Sequence, residues 1–124
     1  MDSDAKKVCS LKMLAIRDTM DILSGKWKIP ILGALSHGEM RFSELKEHVE
    51  GITSKMLSQE LRDLEVNKLI TRSVHDTRPI TVSYKMTEYG KTLGDLIHQI
   101  HLWGVNHRKQ MFSTPSEVLD LATN

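Results

Sequence analysis

The chain has 124 residues, 40% of them hydrophobic and 27% charged, enough for one domain with a real core and too few for a second. Lys and Arg number 17 against 16 Asp and Glu, a net charge of +1, so bulk charge excludes a strongly basic or acidic protein and any nucleic-acid role must come from local placement. The single cysteine, Cys9, excludes an internal disulfide and a multi-cysteine zinc site.

The longest apolar runs, such as Ile29-Pro30-Ile31-Leu32, fall far below the roughly 20 residues a membrane helix needs. Met1-Asp2-Ser3-Asp4 carries no signal-peptide pattern, so a cytoplasmic protein without a membrane partner is expected.

In chain order, Met13, Ile16, Met20 and Leu23 recur at spacings of three and four, with Arg17, Asp18 and Asp21 off that stripe, and predict a first amphipathic helix over about 13–24. Ser24-Gly25 breaks it. Trp27, Ile31, Leu32 and Leu35 then predict a second helix, with Pro30 tolerated in its first turn. Ser36-His37-Gly38-Glu39 reads as a turn and Met40-Arg41-Phe42 as a short extended piece, after which Ser43 can cap a third, short helix carrying Leu45 and Val49. Gly51-Ile52 makes a tight connection to a fourth helix, capped by Thr53 or Ser54, in which Leu57, Leu61 and Leu64 occupy i, i+4 and i+7. Two helices joined by a short glycine-containing turn, over about 43–66, form a helix-turn-helix candidate.

Beyond Asn67-Lys68 the period changes: Ile80, Val82, Tyr84 and Met86 alternate with Thr81, Ser83 and Lys85, which predicts a strand. The Thr-, Ile- and Val-rich segment 69–75 and the turn residues Asp76-Thr77-Arg78-Pro79 complete a hairpin over about 69–86, a wing. Thr87 can cap a last long helix to about His107, whose stripe of Leu93, Leu96, Ile97, Ile100 and Trp103 is broad enough to pack in part against another subunit. Pro115 to Leu121 can add a short terminal helix. The expected fold is mainly α with a small β-hairpin wing, an α+β winged helix-turn-helix, in a single domain over 1–124.

The functional reading centres on the fourth helix, where Lys55, Ser58, Gln59 and Arg62 stand at i, i+3, i+4 and i+7 opposite the leucines. Gln can pair bidentately with adenine and Arg with guanine, while Lys and Ser suit phosphates. A solvated polar face has the same pattern, but a helix that follows a glycine turn and precedes a hairpin sits where a major-groove reader must sit. Ser54 at its start, Arg78 at the hairpin tip, and Arg41 with Lys46 beside the shorter helix are further candidates for DNA contact. Glu44, Glu47 and Glu50 would repel the same anion, so the third helix is expected to meet DNA only at one end.

Several blocks, Gly25-Lys26-Trp27-Lys28, Arg41-Phe42-Ser43-Glu44-Leu45, Gly51 through Ser58, Leu61-Arg62-Asp63-Leu64-Glu65 and Tyr84-Lys85-Met86-Thr87-Glu88-Tyr89-Gly90, resemble the HxlR-type winged helix-turn-helix regulators. Trp103-Gly104 also resembles the end of that family's last helix, and the resemblance spans about residues 14–105. It implies a homodimeric transcription factor of MarR-like architecture, with double-stranded DNA as partner. The first and last helices, about 13–24 and 87–107, would form the dimer interface and the fourth would enter the major groove. Many members carry a Cys-Pro pair before the first helix; the aligned positions here are Leu14-Ala15, and Cys9 lies five residues earlier. The hairpin tip also lacks the family's proline-richer turn.

Cys9, flanked by Lys6, Lys7 and Lys12, is a candidate redox sensor, weighed against an idle thiol, and a small-molecule or electrophile effector stays open. His98, His101 and His107 suit the rim of an interface better than a metal site, so no metal or other cofactor is expected. Trp27 and Trp103 suit core or interface anchors better than the walls of a ligand pocket. No nucleophile elbow, phosphate loop or metalloprotease signature occurs, which argues against an enzyme. The expected function is a sequence-specific repressor reading inverted half-sites as a homodimer; the alternative is a winged helix whose polar face binds another protein.

Overall fold

A computed structural model describes residues 2–112. In chain order its elements are α1 (Asp2–Leu23), α2 (Lys28–Leu35), β1 (Met40–Arg41), α3 (Phe42–His48), α4 (Ser54–Val66), β2 (Ile70–His75), β3 (Thr81–Met86), α5 (Glu88–Lys91) and α6 (Leu93–Met111). Three strands form an antiparallel sheet in the order β1-β3-β2, so the architecture is a mainly helical winged helix-turn-helix with a small sheet. The segment 115–121 lies outside the described residues.

The first helix begins at Asp2, well before the apolar stripe suggested. Residues 2–23 contain neither Gly nor Pro and include the strong helix formers Ala5, Lys6, Lys7, Leu11 and Lys12, so nothing stops the helix from running upstream. It ends before Gly25, whose φ of +91° an L side chain rarely adopts. In α2, Pro30 sits in the first turn, where its missing N–H interrupts no helical hydrogen bond.

The third helix also starts earlier than expected, at Phe42 instead of after a Ser43 cap. Its cap is Arg41, in extended backbone and paired with Ser83 of β3, so strand β1 runs directly into the helix. The Arg41 N–H donates to Glu44 Oε1 at 3.0 Å, which satisfies the donor that the change of conformation frees. Gly51 turns the chain with φ +88°, and Thr53 then caps α4, its hydroxyl accepting the Met56 N–H at 3.2 Å.

The core lies where α2, α3, α4 and the sheet converge. Ile31, Leu32 and Leu35 of α2, Leu45 of α3, the three α4 leucines, Leu69, Ile70 and the β3 residues Tyr84 and Met86 are all buried. Trp27 packs against its edge. Ser83 is buried too, although alternation in β3 would turn it outward; its hydroxyl donates to Glu39 Oε1 at 2.8 Å and lies 2.7 Å from His75 Nε2.

The single long helix expected after Thr87 is instead two. Thr87 caps only the four-residue α5, its hydroxyl accepting the Gly90 N–H at 2.8 Å, and Thr92 separates α5 from α6. The physical reason is the seat of α5: the Thr87 N–H donates to the Leu69 carbonyl at 3.0 Å and its hydroxyl donates to the Lys68 carbonyl at 2.7 Å, so the first turn is pinned against the start of β2. From there α6 runs four residues further than the sequence suggested, to Met111, and none of its residues is buried. No helix among the described residues is long and apolar enough to cross a membrane.

Candidate nucleic-acid interface

Helix α4 is held by its leucines: Leu57, Leu61 and Leu64 are at most 1% exposed, which fixes the rotation of the helix about its axis. The opposite stripe of Lys55, Ser58, Gln59 and Arg62 is therefore exposed along its whole length, with Ser54 at its start. The structure brings these five residues together on the exposed side of one helix.

Two of the three acidic residues of α4 are drawn off that surface, while the third, Glu65, stays exposed one turn beyond Arg62. Lys28 of α2 places its Nζ 2.9 Å from Glu60 Oε2 and 3.7 Å from Asp63 Oδ2, in a seam where Lys28 and Glu60 are largely buried. This pairing neutralises two carboxylates that would otherwise oppose a polyanion and ties α4 to α2.

Two other predicted residues come from different elements. Arg41 is exposed at the junction of β1 and α3, and Arg78 is exposed at the tip between β2 and β3. Between α4 and the sheet runs an open cleft of about 460 Å³ bordered by Arg41, Phe42, Ser58, Arg72, Val82 and Tyr84. Arg72, in the middle of β2, is a residue the sequence reading passed over: strand alternation marks it only as outward-facing. Arg72 pairs with Tyr84 in the register and borders the cleft together with Ser58 of α4.

A second cleft, of about 300 Å³, is bordered by Glu39, Glu44, His75 and Ser83. Arg41 borders both clefts.

The remaining candidates stand apart. Cys9 is exposed on α1, beside a shallow apolar hollow formed with Met13, Leu14 and Arg17. His98 and His101 are exposed neighbours on α6 with ring centroids 6.2 Å apart, and His107 stacks on Trp103 at 5.1 Å. Among the described residues no three His, Cys, Asp or Glu side chains form a group able to hold a metal ion. Trp27 and Trp103 share no pocket wall: Trp27 borders a cleft between α2 and the end of α3, whereas Trp103 is 69% exposed on α6.

A helix seated by leucines, preceded by a glycine turn and flanked by a three-stranded wing is the structural definition of a winged helix-turn-helix DNA-binding regulator. Residues 22–112 match the family described as HxlR-like helix-turn-helix, and the chain belongs to that family. Among its relatives is YtcD of Bacillus subtilis, an uncharacterized HTH-type transcriptional regulator, 38% identical over 107 residues that cover 86% of this chain and 85% of YtcD.

Solved structures agree. A ytcD crystal structure superposes with a TM-score of 0.71 at 41% identity, over 76% of this chain and 96% of that one. The redox regulator HypR in its reduced form gives 0.72 at 33%, over 78% and 96%. A MarR-family regulator from Porphyromonas gingivalis gives 0.67 at 32%, over 72% and 87%. The chain is thus a transcriptional regulator with a helix-turn-helix DNA-binding fold, and not an enzyme.

Proposed function

We infer that this regulator is a cytoplasmic, sequence-specific repressor that binds double-stranded DNA as a homodimer, reading inverted half-sites with α4 of each protomer. The observation that carries the reading is the exposed stripe of Lys55, Ser58, Gln59 and Arg62, held outward by the buried leucines while Lys28 draws Glu60 and Asp63 away. Gln59 and Arg62 supply bidentate base readers, Ser54, Lys55 and Ser58 supply phosphate and base-edge contacts, and Arg41 and Arg78 grip the backbone on either side. Residues 1–124 act as one unit.

The dimer is supported by what a single chain leaves uncovered. On α1, Val8, Leu11, Met13, Leu14, Ile16 and Met20 are each at least 50% exposed, and on α6 Ile100, Leu102 and Trp103 are 45–69% exposed. Apolar side chains in that number along two helices mark a protein interface. A two-fold pairing through α1 and α6 covers them and sets two reading helices one turn of DNA apart, roughly 34 Å. Repression follows from covering a promoter. Cys9 stands on the interface helix, so an electrophile that modified it would act on the dimer, though the reading requires no effector.

Light scattering at micromolar concentration tests the assembly: the expected mass is twice the 14.1 kDa of one chain, and a monomer refutes it. Anisotropy with a labelled duplex from the region upstream of the protein's own gene tests the reading helix. The Gln59→Ala, Arg62→Ala double variant is expected to lose preference for that duplex over a scrambled one. Unchanged preference would turn the polar face over to a protein partner.

A further inference from the structure

Strand β2 carries Arg72 at its third position, and its cross-strand partner is Tyr84, an uncharged residue, so the register supplies no carboxylate to balance it. On the far side of β3, β1 carries Arg41. Arg41 and Arg72 are both among the residues bordering the cleft between α4 and the sheet, together with Ser43 and Ser58, and Arg41 also borders the neighbouring cleft. None of the residues bordering that cleft is acidic. The ion pairs among the described residues involve Lys28 and Lys91 only, so neither arginine has a carboxylate within salt-bridge distance. Glu39 and Glu44 belong to the neighbouring cleft, and the Glu44 carboxylate is already engaged by the Arg41 backbone N–H.

Arg72 has no carboxylate opposite it in the register or along this cleft, so an anion entering the cleft meets cationic side chains with no competing acid among the lining residues. Planar guanidinium forks match phosphate oxygens, and the serine hydroxyls can complete the donor set. Ser58 is also part of the stripe read along α4, so an anion in this cleft lies immediately beside the groove that α4 reads.

We propose that Arg72 and Arg41 form a phosphodiester clamp that holds one backbone phosphate of the DNA strand bordering the major groove, seating α4 in register. The clamp rests on the DNA reading above. It makes Arg72 a positioning residue: it adds affinity and fixes the approach of α4 without itself reading a base.

The test is the salt dependence of binding for Arg72→Gln, Arg72→Lys and Arg62→Ala, each on the duplex from upstream of the protein's own gene and on a scrambled duplex. Arg72→Gln is expected to weaken both complexes about equally, on the order of tenfold per protomer near physiological salt, and to reduce the slope of log K against log salt by about 0.9 per protomer. Arg72→Lys keeps the charge and is expected to restore the slope while recovering only part of the affinity, because the fork is lost. Arg62→Ala is expected to erase the preference between the duplexes. An unchanged slope for Arg72→Gln, or a loss confined to one duplex, overturns the clamp and leaves the α4 reading intact if Arg62→Ala behaves as stated. Failure of the unaltered protein to bind either duplex in a salt-dependent way overturns both.

Discussion

Replacing Gly90 by Ala tests how the wing is joined to the last helix. A Cβ at Gly90 would overlap the carbonyl oxygen of Leu69 and lie only 3.0 Å from its carbonyl carbon, both of them backbone atoms that cannot rotate away. That carbonyl accepts the Thr87 N–H at 3.0 Å, and the Thr87 hydroxyl, which donates to the neighbouring Lys68 carbonyl, accepts the Gly90 N–H itself at 2.8 Å, so relieving the overlap must strain the seat of α5. Two weakened hydrogen bonds at about 1 kcal/mol each, with at least about 1 kcal/mol of overpacking, give a loss of about 3 kcal/mol. For a domain of this size that lowers Tm by about 12 °C. Thermal unfolding by circular dichroism, at one protomer concentration for every variant because a dimer's Tm depends on it, reads the shift. Gly33→Ala is the control: nothing lies within 4 Å of its Cβ position on α2, and it should be neutral or stabilise by up to about 1 kcal/mol. Gly90→Ala unfolding at the unaltered temperature would refute the tight junction between α5 and β2.

Lys28→Met should cost about 2 kcal/mol in urea unfolding, because it leaves Glu60 in the α2–α4 seam without its partner at 2.9 Å. Lys28→Met combined with Glu60→Leu should recover to within about 1 kcal/mol of the unaltered protein; equal losses in the single and double variants would show that the pair is not what matters there. Met20→Glu, at a position 55% exposed in the single chain, should raise the dimer dissociation constant about a hundredfold, corresponding to about 3 kcal/mol of lost burial and added charge at an interface. Sedimentation of a dilution series measures it, and an unshifted constant would place the interface elsewhere.

The exposed polar face of α4 was legible because the helix is cleanly amphipathic: three leucines at helical spacing leave only one rotation for Lys55, Ser58, Gln59 and Arg62. The hairpin was legible from alternation and turn residues. Less legible were features that depend on partners far away in the chain. The buried Ser83 hydroxyl is satisfied by donating a hydrogen bond to Glu39, 44 residues earlier, and no local pattern announces such a bond. The break at Thr92 comes from the carbonyls of Lys68 and Leu69 holding Thr87, whereas the apolar spacing runs straight through it. Arg72 looked like any outward strand residue until the register set it across from Tyr84. The upstream part of α1 was missed for a different reason: its charged residues interrupt the stripe, yet Ala, Lys and Leu there are good helix formers that extend a helix already nucleated downstream.

Selection of binding sites by the full chain from a random-sequence duplex pool tests most directly whether α4 of a two-fold dimer reads DNA. The enriched sequences should be inverted repeats with half-site centres about 10–10.5 base pairs apart or a multiple of that spacing. The same selection with Gln59→Ala, Arg62→Ala should lose the consensus while retaining weak, salt-sensitive binding. A pool that stays random with the unaltered protein, or a consensus that survives in the double variant, would contradict the assignment of α4 as the reading helix.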